Sequence, residues 1–148
     1  MEDYEFDVYL LCPVRKATKR EKRFLEEYKR RLETEKGLKV HYPAKDTDQT
    51  DETGGYRICK DHCREIKSSK TAHVYWTGST GSHVDLGTIL AEHFERNMDV
   101  ILINKATVRR IVEKQRIQGI TKSYEAVLLK LDSFANPATR LLSNSKPL

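Results

Sequence analysis

The sequence predicts one doubly wound α/β domain: an open, mostly parallel sheet of four or five strands with helices on both faces, of the flavodoxin-like or Rossmann-like kind. Three observations predict it. Short runs rich in β-branched and aromatic residues alternate with longer stretches whose apolar residues recur at helical spacing. The connections between these runs are short. The chain has 148 residues and no internal repeat that would divide it, which is the length of a single domain with a real core. Residues 1–135 are assigned to this domain and residues 136–148 to a flexible polar C-terminal tail.

Phe6 to Cys12 is a mostly apolar run closed by Pro13, the pattern of a first central strand buried on both faces. Thr18 caps an amphipathic helix in which Phe24, Leu25, Tyr28 and Leu32 form one apolar stripe, and Gly37 stops it. Leu38 to Tyr42 alternates and ends at Pro43, reading as a second strand parallel to the first. Pro43 to Gly55 carries Asp46, Asp48, Asp51 and Glu52 and reads as a mobile acidic loop. From Tyr56 to Lys70, Ile58, His62, Cys63 and Ile66 fall on one helical face. Ala72 to Trp76 is a third strand, followed by a glycine-rich turn and a helix from about Ser82 to Arg96. Asp99 to Ile103 is a further strand. Val108, Ile111 and Val112 suggest a short helix, Ile117 to Ile120 a short strand or turn, and Tyr124 to Phe134 a terminal helix ended by Asn136-Pro137.

Composition narrows the function classes. Asp3, Glu5 and Asp7 interrupt any N-terminal apolar run, and no stretch approaches a membrane span, so a soluble, cytoplasmic protein is expected. The three cysteines, Cys12, Cys59 and Cys63, have no disulfide-framework spacing. The net charge of +5 concentrates between Arg15 and Arg31, where basic residues alternate with Glu21, Glu26 and Glu27. That mixture describes a solvated helix face, and a nucleic-acid partner using it is kept only as a secondary alternative. Cys59, His62, Cys63, His73 and His83 are metal-ligand types, but no second paired set has zinc spacing; no metal and no cofactor is expected. His62 and Cys63 read as helix packing and His73 as a strand residue bonded to backbone.

The stretch Trp76 to Gly87 is a strand-to-helix turn at the edge where such sheets bind ligands. Gly78 and Gly81 permit backbone angles closed to other residues, Ser79, Thr80 and Ser82 supply hydroxyls, and the helix N-terminus offers N–H groups to an anion. Ser82 reads as the N-cap, with Asp85 in the first turn facing the crevice.

These residues resemble the nucleoside 2-deoxyribosyltransferase family, and within it the 2′-deoxynucleoside 5′-monophosphate N-glycosidase branch. Val8-Tyr9-Leu10 followed by Cys12-Pro13-Val14-Arg15 is similar to the family's first strand and turn, with an Arg in the nucleotide branch. Gly81-Ser-His-Val-Asp85-Leu-Gly87 is similar to its Gly-x-x-x-Glu-Leu-Gly, whose carboxylate is the nucleophile. Ser79 stands six residues before that carboxylate, where the nucleotide branch has a phosphate-binding Ser. The resemblance spans roughly residues 6 to 134 and departs at two points: Asp85 replaces Glu, and Cys12-Pro13 replaces Gly-Ser. It implies cleavage or transfer at the N-glycosidic bond of a nucleoside 5′-monophosphate, in a homodimer or larger homo-oligomer.

Breaking that bond builds positive charge on the sugar, so the reaction needs a carboxylate below the anomeric carbon and a proton donor near the base. Asp85 takes the first role. Asp61 is the natural second carboxylate, although aligning Ile66 with the family's apolar position puts His62 there instead. Tyr9 holds the Asp85 rotamer, Arg15, Ser79, Ser82 and the helix N–H groups form the expected phosphate nest, and Gly81, His83 and Gly87 are further candidate substrate-binding residues. A nucleotide-binding module that keeps the pocket without catalysis is the alternative.

Overall fold

The computed structural model describes residues 3–47, 49–136 and 140. Four parallel strands form one open sheet in the order β2-β1-β3-β4: β1 Phe6–Leu11, β2 Val40–His41, β3 Ser69–Val74 and β4 Asp99–Leu102. Tyr9 pairs with His41 on one side and Ala72 on the other, and Thr71 to Val74 pair with Asp99 to Leu102. The helices are α1 Lys19–Glu35, α2 Pro43–Asp46, α3 Tyr56–Lys67, α4 Thr80–Arg96, α5 Lys105–Ile117 and α6 Tyr124–Phe134.

Strand periodicity sorts the core into two layers. Tyr9, Leu11, Ala72, Val74, Val100 and Leu102 meet Ile66 of α3, Leu86 and Ile89 of α4, and the apolar sides of α5 and α6. Val8, Leu10 and Val40 point the other way, against Leu25, Tyr28 and Leu32 of α1. The chain steps from β1 outward to β2, then back across β1 to β3. Right-handed crossovers in opposite directions place α1 and α3 on opposite faces and leave the crevice between the carboxyl ends of β1 and β3.

Several local expectations hold. Thr18 caps α1 in a reciprocal capping box with Glu21, Gly37 follows the helix with φ +64°, and α6 has the predicted bounds. Others are corrected. The second strand shrinks to two residues, and the third starts at Ser69 and ends at Val74. Pro43 to Gly55 is not wholly a loop, because Pro43 starts the one-turn α2 and Thr47 behind it is buried; Asp48 lies outside the described residues. The short helix around Val108 is the 13-residue α5, with a turn and no strand after it. Of the C-terminal tail, Asn136 and Arg140 are described, and Arg140 pairs with the buried Asp132. Asp132 also accepts from the Leu102 N–H at 2.9 Å and from Lys105 at 2.7 Å, tying α6 to β4.

Among the described residues the His73 ring bonds a side chain and not the backbone. Its Nδ1 lies 2.6 Å from the Tyr28 hydroxyl, a buried polar bond in the α1 layer that fixes where the helix sits on the sheet. Burial pushes His73 down to about 3, with the Arg140 charge adding to the effect. An unfolded histidine takes up its proton near pH 6.5, so between about pH 6 and 4 the unfolded chain binds one proton that the folded chain refuses. Stability from this source therefore falls with acidification, by about 1.4 kcal/mol per pH unit. Urea midpoints measured across that range are expected to flatten in His73→Asn; an unchanged slope would assign the acid sensitivity to another group.

Candidate active site

Asp85 sits in the second turn of α4, 7% exposed, and side chains from two other elements reach it. The Tyr9 hydroxyl, projecting from the middle of β1, donates to Asp85 Oδ2 at 3.0 Å. His62 Nδ1, from α3, lies 3.1 Å from Asp85 Oδ1. A strand and two helices thus hold one carboxylate by both oxygens. The reason is local: α3 and α4 pack side by side on the Tyr9 face of the sheet, and Ser82, Asp85 and Thr88 recur every three residues along the α4 flank that faces α3. Thr88 bonds Cys63 at 3.4 Å one turn further on.

The electrostatics follow from this burial. Desolvation alone would lower the His62 pKa, but the hydrogen bond and charge of Asp85, backed by Glu65 and Asp61, raise it above the ordinary histidine value. The two side chains thus form a buried pair in which the Asp85 carboxyl favours the protonated form of the imidazole. His62 Nε2 is buried with no hydrogen-bond partner among the described residues. Burial and the Asp85 carboxylate push the Tyr9 phenol well up, so it remains a donor. The same two causes push the Cys12 thiol up to about 12 and keep it protonated.

Behind Tyr9 lies a second polar cluster. His41 stacks on the Tyr9 ring at 5.5 Å, and its Nε2 is 2.8 Å from Glu65 Oε2. Thr47 donates to the same Glu65 oxygen at 3.3 Å. Burial lowers the His41 pKa, leaving a neutral imidazole, so this contact is a hydrogen bond from Nε2–H to the carboxylate rather than a full ion pair. Glu65 is raised by burial, while the charge of His62 and the Thr47 bond pull it back.

The other predicted residues divide. Ser79 is the N-cap of α4, in place of Ser82: its hydroxyl accepts from Ser82 N at 3.3 Å and donates to Ser82 Oγ at 2.8 Å. Gly78 has φ +79° and makes the turn that side chains resist, whereas Gly81 and Gly87 are ordinary helical residues with open space where a Cβ would stand. Arg15 is exposed in the turn after β1, on the same edge of the parallel sheet as Ser79 after β3. Asp61 does not face Asp85; it pairs with Arg57 at 2.7 Å and Arg64 at 3.4 Å on its own helix. His83, two residues from Asp85 and so about 200° around α4, turns to Trp76 at 4.8 Å and Tyr124 at 5.1 Å and bonds the Ser79 carbonyl.

Asn104, His41 and Glu65 were not singled out in the sequence. Asn104 clamps the backbone of Trp76 from both sides, accepting from its N–H at 2.9 Å and donating to its carbonyl at 2.7 Å, which anchors the glycine turn to the end of β4. An Asn directly after an apolar strand was the available signal. For His41 and Glu65 there was none, since their partners are remote in sequence. Among the described residues no three His, Cys, Asp or Glu side chains are placed to hold a metal ion, and no helix is long and apolar enough to cross a membrane.

Because the folded pKa of His62 is raised, its pairing stabilises the fold fully below about pH 6.5 and loses that contribution as pH rises through the folded value. Nitrogen-resolved NMR of the imidazole is expected to give a pKa above 6.5 in the wild type and a lower one in Asp85→Asn. A wild-type value at or below 6.5 would dissolve the ion pair.

A scan against models of known protein families finds no match for this chain, and a search of curated proteins finds none either.

Proposed function

We propose that this protein cleaves the N-glycosidic bond of a nucleoside 5′-monophosphate, with Asp85 as the carboxylate and His62 as the proton donor. The observation that carries the reading is the buried Tyr9–Asp85–His62 constellation at the crevice between β1 and β3. Asp85 faces positive charge developing at the anomeric carbon, either attacking it to give a glycosyl-enzyme ester that water, or a second base in transfer, then resolves, or stabilising it while water adds to that carbon. Tyr9 fixes its rotamer. His62, whose pKa is raised beside Asp85 and whose Nε2 has no partner among the described residues, supplies the proton that lets the base depart as a neutral molecule. This gives His62 the role that the resemblance assigns to a second carboxylate, while Asp61 serves its own helix. Ser79, Ser82, the first N–H groups of α4 and Arg15 are the phosphate side of the proposal, supported by their common edge and by the helix N-terminus.

A non-catalytic nucleotide-binding module is favoured by one observation: both Asp85 oxygens are already taken, and the side chain is one methylene shorter than Glu. A retraction of about 1 Å can cost on the order of 100-fold in rate, so turnover is expected to be slow. The basic helix gives less support to nucleic-acid binding, because Lys29, Arg30 and Arg31 each pair with a glutamate of the same helix.

Purified protein incubated with a panel of deoxyribo- and ribonucleoside monophosphates is expected to release free base, and Asp85→Asn to abolish release while keeping the fold. Thermal stabilisation by nucleotide without base release would select the binding module. Arg15→Ala is expected to weaken monophosphate binding by roughly 10- to 150-fold, the worth of one charge-assisted contact, and to leave the parent nucleoside nearly unaffected. Equal calorimetric affinity of the wild type for monophosphate and nucleoside would remove the phosphate site.

A further inference from the structure

Glu65 is a buried acid that the proposed chemistry does not use. It lies on α3 three residues after His62, so the two side chains share a helix flank about 5–6 Å apart at Cβ. It is held in place from outside its own helix: His41 of β2 reaches it at 2.8 Å and Thr47, after α2, at 3.3 Å. Both are placed to donate to the same Glu65 oxygen, so the carboxyl group is oriented by contacts from outside its own helix. His41 in turn stacks on one side of Tyr9, and His62 meets the Tyr9 ring edge at 6.3 Å. Two histidines, each with its own carboxylate, therefore flank the tyrosine that holds Asp85.

We propose that Glu65 is a positioning residue of the Asp85 site, a second buried negative charge clamped one turn behind His62 so that the imidazole keeps its proton while it waits for the leaving base. The inference rests on the glycosidic reading for its function but not for its geometry. With Asp85 alone, substrate binding would bring developing positive charge to that carboxylate and weaken its hold on the proton of His62. Glu65 is held by His41 and Thr47 rather than by Asp85, so its charge does not depend on what Asp85 faces. The titratable and charged neighbours of His62 are Asp85 from α4, Tyr9 from β1, His41 from β2, and Asp61, Arg64 and Glu65 from α3. Of the acids, Asp61 pairs with both Arg57 and Arg64, whereas among the described residues the cation beside Glu65 is Arg64 at 3.6 Å, with His41 and Thr47 on its other oxygen. Its charge also acts on His62 in the direction that raises the imidazole pKa.

The test compares wild type, Glu65→Gln, which keeps an acceptor oxygen for Thr47 and His41, and Thr47→Val, which disturbs the cluster but leaves the charge. The His62 pKa, read by imidazole NMR without substrate, is expected to fall by about 1 unit, a tenfold loss of proton affinity, in Glu65→Gln and to stay put in Thr47→Val. With a monophosphate that the wild type cleaves, the alkaline limb of base release is expected to move to lower pH by the same amount in Glu65→Gln only. An unchanged His62 pKa in folded Glu65→Gln, or an equal fall in both variants, would overturn the proposal. If Glu65→Gln does not fold, carboxylate NMR of the wild type takes its place: the His62 signal is expected to show a second inflection where the Glu65 carboxylate titrates, and its absence would be equally fatal. A wild type that releases no base from any nucleotide defeats the glycosidic reading, while the His62 titration still decides whether Glu65 holds its proton.

Discussion

A carboxyl group removed from water has to be compensated by donors or by charge, and Asp85 has the Tyr9 hydroxyl on one oxygen and the His62 imidazole, its pKa raised by that contact, on the other. Much of the structure serves to bring these three groups together. Tyr9 must come from an interior strand so that its ring is packed on both sides and its hydroxyl has only one place to go. His62 must come from a helix lying against α4, which requires α3 and α4 to share a face of the sheet. The strand order β2-β1-β3-β4 satisfies both conditions, because the chain crosses back over β1 after β2 and then continues in the same direction to β4.

The two faces of the sheet are used differently. The α1 face is a packing layer, in which one buried polar bond, between Tyr28 and His73, fixes the position of the helix among otherwise apolar contacts. The opposite face mixes apolar packing near β3 and β4 with a polar patch above β1 and β2, where Tyr9, His41, His62, Glu65 and Asp85 cluster. A polar patch of this density carries a desolvation cost, and hydrogen bonds offset it for every member except His62 Nε2. Among the described residues that atom has no partner, and it is the reason our reading gives His62 the proton transfer.

The glycine turn illustrates how the same residues serve folding and, in our reading, binding. Gly78 supplies the positive φ that reverses the chain, Ser79 caps α4, and Asn104 locks Trp76 to the end of β4. The first turn of α4 and the exposed Arg15 share the carboxyl edge with these contacts, which is why our reading puts the phosphate there.

The sequence by itself determined what depends on neighbours along the chain. Alternation and helical spacing marked the strands and helices, the Thr18 and Glu21 box and Gly37 bounded α1, and strand-helix alternation predicted a parallel doubly wound sheet with Tyr9 and Asp85 near one crevice. Local reading misplaced the cap of α4 because Ser79 and Ser82 are both hydroxyl residues three apart, and only the backbone angles decide which of them stands outside the helix. Only the tertiary structure decided between Asp61 and His62. They are adjacent on α3, about 100° apart around its axis, so the rotation of that helix against α4 turns one toward Asp85 and leaves the other to Arg57 and Arg64. The same holds for His41 and Glu65, 24 positions apart, whose contact exists because β2 lies beside β1 while α3 packs across them. Helix rotation and strand adjacency are set by packing of the whole core, and no local pattern in the chain encodes them.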